Sequence, residues 1–404
     1  MRIVIAPDKF KGSLEASAVA EALEAGICSV EPTADVVRLP VADGGEGTLE
    51  AAAGAGFARR PVTVTGPVGE PVEAEIAVLG SVAVIEMAQA SGLAALPVDI
   101  DGDPVLEPGG ATSRGTGELI LAALDAGMRR VVIGVGGSAS TDGGAGLLQA
   151  LGARLLDAEG DDLTGGGVSL AGLDRVDLSG MDPRVTTTEF ILAADVDNPL
   201  TGLDGAAAVF GPQKGASRAM VTVLDGALDR LRDRLTAALG PDVSSAAEAP
   251  GAGAAGGVGF AALAVLGAVR RPGIEVVLEF VDLAGQVASA DLVITGEGSL
   301  DDQSLGGKTP LGVAAVARSA GVPVVAVCGR TTLPEDILRE AGFARTYALT
   351  ELEPNPQTSM REAARLLERL GARLASEMPA LARAHHAADT APVITGADDQ
   401  ETVQ

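Results

Sequence analysis

The stretch RIVIAPDKFKGS, residues 2–13, decides the reading of the fold. Arg2–Ala6 is a short apolar run closed by Pro7 and Asp8, the pattern of a strand buried on both faces. Beyond it, Ser13 is placed to cap a helix running to about Ala25, where Gly26 stops it. DVVRL, Asp35–Leu39, supplies a second strand, and DGGEGT, Asp43–Thr48, opens a second helix near Glu46. A βαβα beginning of this kind specifies a parallel sheet.

The pattern returns at the far end of the chain. DLVIT (Asp291–Thr295), PVVAV (Pro323–Val327) and RTYAL (Arg345–Leu349) are each followed by a helical segment. Five strands are enough for a doubly wound, Rossmann-like parallel sheet. Between the two ends, VTVTG, VEAEIAVLG and VAVIEM alternate as strands do, and VVIGV (131–135) and FILAA (190–194) follow in mixed α/β order. The expected architecture is α/β with two domains. Residues 1–60 plus 286–380 form a discontinuous Rossmann-like domain, and residues 61–285 form a second, mixed α/β domain inserted into it. An insertion makes two crossings between domains, which suits a hinge and a cleft. A helix is expected around Met360–Leu374, and the Ala, Asp, Thr and His of 384–404 predict a disordered tail.

Composition narrows the function. A chain of 404 residues with 47% hydrophobic content can bury a large core, but 2% aromatics and 54 glycines mean that Ala, Val and Leu must fill it around tight turns. Lys and Arg number 29 against 55 Asp and Glu, a net charge of −26, which repels a phosphate backbone, and few aromatics remain for base stacking. Nucleic acid is therefore not an expected partner. The histidines, His385 and His386, lie at the C-terminal end and leave none for a catalytic dyad or a zinc cage in the body. Cys28 and Cys328 are read as reduced structural thiols. No apolar leader follows Met1, so a cytoplasmic protein is expected. Ala249–Val269 is uncharged and long enough to cross a bilayer, yet its glycines read as a loop feeding a buried helix, so no membrane partner is expected.

Six segments carry chemistry. PDKFKGS puts Asp8, Lys9, Lys11, Gly12 and Ser13 at the carboxyl edge of the sheet, where doubly wound folds bind ligands. Lys9 and Lys11 beside a helix N-terminus suit a carboxylate or a phosphate, held by charge and free backbone N–H groups. DGGEGT takes the corresponding position after the second strand and brings Asp43 and close-approaching glycines. In GVGGSASTDGGAG, Gly134–Gly146, the run of backbone amides together with Ser138, Ser140 and Thr141 suits an anion nest, and Asp142 is placed to hold a metal. ADVDNPLTG ends a strand with Asp195 and Asp197, of which alternation turns one to the cleft. Asp195 is read as the general base or the group that orients the substrate hydroxyl; Asp43, Asp142 and Asp301 are the alternatives that instead hold magnesium. GPQKG nearby supplies Lys214 in what reads as an ordinary turn.

PGAGAAGGVGF contains the spacing G-x-G-x-x-G at Gly251, Gly253 and Gly256, but it lacks the preceding strand and the closing acid of a dinucleotide fingerprint. Gly253 and Gly256 are read instead as a loop lying against nucleotide phosphates. In TGEGSLDDQSLGGKTPLG, Gly307, Lys308 and Thr309 look like the end of a P-loop, but position 302 is Asp302 and not the glycine that motif needs. With Thr309 as N-cap and Pro310 at the first helical position, Lys308 arrives at a helix mouth, with Glu297 and Asp301 beside it as a magnesium phosphate site requires. Phosphate clamps, a magnesium site and a base beside an alcohol are what phosphoryl transfer needs. The inventory fits a small-molecule kinase.

At these segments the chain resembles the bacterial type I glycerate kinase family. The resemblance runs from Met1 to about Leu374 and rests on APDKFKGSL, DGGEGT, TSRGTGELI, GGSASTDGGAG, ADVDNPL, GPQKGA, PGAGAAGG and EGSLDDQS with GKTP, in one order. It implies phosphorylation of D-glycerate with ATP and Mg2+ to 2-phosphoglycerate, and a fold of two α/β domains with one inserted in the other. The combined assignment gives Asp195, Asp43 and Lys11 catalytic roles and puts Lys9, Lys11, Ser13 and Arg114 on substrate. Gly136, Gly137, Ser138, Gly253, Gly256, Lys308 and Thr309 go to nucleotide, and Asp142, Glu297 and Asp301 to metal. The partners expected are D-glycerate and ATP, with homo-oligomerisation left open. The alternatives are a kinase for a related hydroxy or sugar acid, an NAD-dependent hydroxy-acid dehydrogenase, for which the body of the chain lacks a histidine, and a non-catalytic sugar-acid binding protein.

Overall fold

A computed structural model describes residues 1–302, 304–306 and 308–389. In chain order the strands are β1 (Arg2–Pro7), β2 (Asp35–Arg38), β3 (Ala58–Thr65), β4 (Pro71–Leu79), β5 (Val82–Glu86), β6 (Arg130–Gly134), β7 (Arg154–Leu156), β8 (Arg175–Asp177), β9 (Glu189–Ala193), β10 (Val269–Arg271), β11 (Leu292–Leu300), β12 (Val324–Thr331) and β13 (Arg345–Ala348). The two ends of the chain build one sheet in the order β13-β12-β11-β1-β2, parallel throughout, with Ile3 opposite Leu292 and Arg2 opposite Asp35. The middle builds a six-stranded sheet in the order β10-β9-β6-β5-β4-β3, parallel from β10 to β5 and antiparallel through β4 and β3. β7 and β8 form a separate ribbon.

Period-two alternation along β1 explains why the first sheet is covered on both sides. Ile3 and Ile5 enter a core with Val19, Leu23 and Ile27 of the helix Ala16–Val30 and with Leu366, Leu370 and Leu374 of the helix Ala363–Asp389. Val4 and Ala6 face the other way, onto Ile274 and Val277 of the helix Gly273–Phe280 and Val313 and Ala314 of the helix Thr309–Ser319. The expected doubly wound sheet is present.

Two helices join the sheets. Leu49 and Ala52 of the helix Thr48–Gly54 lie on Ala77, Val84, Val132 and Ile191 of the second sheet, while Ala51 of the same helix belongs to the core under the first. The helix Gly273–Phe280 does the same, with Val276 toward the second sheet and Val277 toward the first. The two cores therefore meet through one shared layer of helices, with the carboxyl ends of strands from both sheets opening beside it.

Several local expectations are corrected. Gly26 does not end the first helix, which runs on to Val30; a Cβ there would lie 1.9 Å from the Glu368 carbonyl oxygen, so the glycine permits two helices to cross in contact. Ser13 is not the cap, because the helix begins at Ala16 after Glu15. β11 runs on to Leu300 and takes Glu297 into a strand. Within Ala249–Val269, read as a glycine loop feeding a buried helix, the helix ends at Ala264 and Val269 already starts β10. The helix Ala363–Asp389 continues through the first residues of the expected tail, and 390–404 lie outside the described residues. Among the described residues no helix is long and apolar enough to cross a membrane, and both cysteines are free, Cys328 being buried.

Candidate active site

Three loops meet backbone to backbone where the sheets converge. Gly44, in the left-handed region at φ +87°, would place a Cβ 2.6 Å from Gly273 Cα, and a Cβ on Gly136 would lie 2.7 Å from Gly45 Cα. The DGG and GVGG glycines thus let one loop touch another. Asp43 is held at that crossing, its Oδ1 accepting the Gly45 N–H at 3.3 Å. Glu86 at the end of β5 anchors the turn from below: its Oε1 accepts the N–H groups of Gly47 (2.9 Å) and Leu49 (2.6 Å). Burial raises the Glu86 pKa against those bonds.

Two open spaces adjoin this crossing. A cleft of about 660 Å³ is lined by Lys9, Lys11, Ser13, Asp43, Gly136, Gly137, Glu297, Asp301 and Lys308 among the expected residues. A larger groove of about 1350 Å³ runs along the shared helices and holds Asp195, with an apolar wall that includes Ile274, Leu278, Leu311 and Val316. Asp43 and Lys308 line both.

Within the cleft the charges are mixed. Lys9 donates to Glu46 Oε2 at 2.5 Å and to the Glu46 carbonyl at 3.2 Å, whereas Lys11 is exposed at the cleft edge. Asp8, at the end of β1, accepts the Lys9 N–H (2.7 Å) on one oxygen and the Thr309 hydroxyl (2.6 Å) on the other. Burial, then the Asp43 charge, push its pKa up to about 7. Arg330, next to last in β12 and opposite Ser299 of β11, donates to Ser299 Oγ at 3.4 Å. Glu297 Oε1 is buried and has no hydrogen-bond partner among the described residues. Burial raises the Glu297 pKa, opposed by the Ser304 hydroxyl and Lys308. Asp301 accepts the Ser299 hydroxyl at 3.5 Å and gives its N–H to Ser304 Oγ at 3.1 Å. On the groove side, Asp195 Oδ1 accepts the Gly273 N–H at 2.7 Å; loss of solvent on its inner side, then Asp43, push its pKa up to about 6 against that bond.

Other expected residues do not reach these spaces or have their polar groups committed elsewhere. Asp142 is fully buried, and its oxygens accept from Ser113 N–H (2.8 Å), Ser113 hydroxyl (2.9 Å), Gly144 N–H (3.1 Å) and Gly146 N–H (3.2 Å). That donor set occupies the lone pairs a metal would need, so Asp142 is an anchor for two helix starts and not a metal ligand. Gly253 and Gly256 are buried against backbone: added Cβ atoms would meet the Pro199 oxygen at 2.3 Å and the Ser140 oxygen at 2.1 Å, which closes that loop to phosphate. Ser138 is buried and accepts from Lys214, and Arg114 pairs with Glu118 outside both spaces. Thr309 is buried with its hydroxyl committed to Asp8, and the cap position belongs to Lys308. Ser13 lines the cleft, but its hydroxyl donates to the Met360 carbonyl at 2.7 Å. Gly307 lies outside the described residues. Sequence reasoning left Asp8 and Arg330 without a role; Asp8 follows β1 and Arg330 is next to last in β12, so both stand at the carboxyl edge of the first sheet, the signal that could have given them one.

Comparison with known proteins gives the family of the chain. A family model described as the glycerate kinase family matches residues 3–379. A glycerate kinase of Bacillus subtilis (strain 168) is 47% identical over 381 residues, covering 94% of this chain and 98% of its own. A glycerate 2-kinase of Escherichia coli (strain K12) is 48% identical over 352 residues, covering 86% and 90%. A crystal structure from Salmonella typhimurium LT2, provisionally named glycerate kinase 2, superposes with a TM-score of 0.80 at 43% identity, covering 94% of this chain and 98% of that one. With the match running through both sheets and every loop of the cleft, the chain belongs to the glycerate kinase family and is an enzyme of that family.

Proposed function

We propose that the enzyme transfers the γ-phosphoryl group of ATP to D-glycerate at the junction of the two spaces, giving 2-phosphoglycerate. The observation that supports this reading is that Asp43 and Lys308 line both cleft and groove, so groups bound on either side meet beside them. The choice of the 2-hydroxyl follows the Escherichia coli relative, named a glycerate 2-kinase. Glycerate takes the smaller cleft, where Lys11 and Arg330 offer charge to its carboxylate. The nucleotide takes the larger groove, with its base and ribose on Ile274, Leu278, Leu311 and Val316. Its phosphates turn toward Lys308 at the N-terminus of the helix Thr309–Ser319, where the ammonium adds to aligned amides.

In this reading Lys308 stabilises charge on the phosphoryl group in flight, and Asp43 accepts the proton of the substrate hydroxyl as the P–O bond forms. Asp195 lies on the groove side and serves the nucleotide end. Glu297 and Asp301 are the residues that would hold Mg2+. The buried, unpartnered Glu297 Oε1 fits that task. No ready cage of three or more acidic, His or Cys side chains occurs among the described residues; magnesium usually takes one or two carboxylates and completes its shell with phosphate and water. When bound, it neutralises phosphate charge. A cytoplasmic location and the division into residues 1–60 plus 286–380 and 61–285 belong to the same proposal. Ala315, exposed on the groove wall, separates the two ligands experimentally. Ala315→Trp should raise the KM for ATP and leave that for glycerate unchanged; the opposite pattern would exchange the two sites.

A further inference from the structure

Lys214 is a buried cation that no step above uses. It ends the short helix Pro212–Lys214 and is 1% exposed, among the largest fully buried side chains of the protein. Its Nζ donates to Ser138 Oγ at 2.7 Å and to the Ser140 carbonyl at 2.6 Å. Asp142 is the charged group that acts on it across the loop, and burial holds the ammonium down toward neutrality, with a pKa of about 7. An apolar side chain of the same length would fill this space without the expense of desolvating an amine. Its position therefore calls for a role for the polar head.

The loop that Lys214 grips is the one that walls the cleft. Gly136 and Gly137 line the cleft and immediately precede Ser138. The Gly137 carbonyl accepts the Leu93 N–H at 2.9 Å, the Ala139 N–H donates to Ser91 at 2.9 Å, and Gly136 abuts Gly45 beside Asp43. Lys214 closes this set of ties at Ser138 and Ser140, while Asp142 secures the next turn. We propose that Lys214 is a positioning residue for phosphoryl transfer: through Ser138 and Ser140 it fixes the Gly136–Gly137 wall, and with it the Asp43 loop, relative to Lys308. This rests on the assignment of the cleft and groove made above. It adds a residue that touches neither ligand yet controls their mutual placement.

The test compares wild type, Lys214→Met and Ser138→Ala in steady-state assays with ATP and glycerate, each beside its thermal unfolding curve. A loosened wall misplaces reacting groups without removing a binding contact. Lys214→Met should therefore lower kcat by about 10- to 100-fold, a misplacement effect, while both KM values stay within about threefold. Ser138→Ala removes one acceptor and leaves the lysine in place, so it should lower kcat in the same sense. The double variant should be no worse than Lys214→Met. Wild-type kcat per folded molecule in Lys214→Met, whatever its melting temperature, would overturn the proposal. If Lys214→Met does not fold, unchanged kcat in Ser138→Ala overturns it instead. Failure of the wild type itself to phosphorylate glycerate would overturn the underlying assignment and not this inference alone.

Discussion

Replacing Asp142 with asparagine separates an internal anchor from a metal ligand. In the wild type the Oδ2 position accepts from Ser113 twice and from Gly146, and Oδ1 accepts the Gly144 N–H. An asparagine can keep its oxygen toward Ser113 and Gly146, but its amide nitrogen then faces the Gly144 N–H, donor against donor. One charge-assisted bond is lost, worth about 1.5–3 kcal/mol, and the others become neutral bonds of about 0.5–1.5 kcal/mol each. The sum is a destabilisation of roughly 3 kcal/mol or more. For a unit of 150–250 residues, each kcal/mol moves the midpoint by roughly 2–4 °C. Asp142→Asn should accordingly melt about 6–12 °C below wild type by circular dichroism. The magnesium concentration giving half-maximal activity, measured well below the transition, should not move. An unaltered midpoint with a raised magnesium requirement would refute the anchor assignment and return Asp142 to the metal site.

Other outcomes follow from the same geometry. Lys308→Ala should lower kcat by roughly 10²- to 10³-fold, the scale for removing one charge-stabilising group, with a melting curve close to wild type; a stability loss without a kcat loss would contradict the phosphate role. Asp43→Asn should lower kcat by about 10²- to 10⁴-fold while substrate binding by calorimetry persists, and Asp195→Asn should act mainly on the KM for ATP. A larger kcat loss from Asp195→Asn than from Asp43→Asn would make Asp195 the base. The depressed pKa of Lys214 carries a pH signature, because above about 7 the folded state has released a proton that the unfolded chain holds up to about 10.5. Wild-type stability relative to Lys214→Met should rise as pH increases through that window and stay flat below it. A difference that falls over the same window in urea titrations would contradict the burial argument.

Much of the architecture was readable because its signals are local. Apolar runs ending in Pro, Gly or Asp marked β1, β2, β6 and β9, alternation marked β5, and the return of the same pattern near Asp291 revealed a sheet built by both chain ends. The edge rule put Lys9, Lys11 and Asp43 where strands stop, and the helix-start reading put Lys308 at a helix mouth; all four line one cleft. The glycine-rich loops were harder. Gly136 lines the cleft and Gly256 is pressed against Ser140, yet both sit in runs of small residues, and what distinguishes them is whether ligand or another backbone occupies the adjacent space. Gly26 misled for the same reason, since a helix-stop signal and a helix-crossing site use the same residue. Asp142 and Lys214 were misread because burial of a single charged side chain is a tertiary fact with no periodicity behind it.

The central claim, that Asp43 and Lys308 join a glycerate cleft to a nucleotide groove, is tested most directly by the position of the transferred phosphate. Purified enzyme is given ATP, Mg2+ and D-glycerate, and the product is read by phosphorus–proton correlation NMR, with Lys308→Ala and Asp43→Asn as controls. The account predicts ADP release that depends on glycerate, phosphorus coupled to the C2 methine proton, and loss of turnover in both variants. Phosphorus coupled to the C3 methylene protons would contradict the proposed product, and full turnover in either variant would contradict the junction.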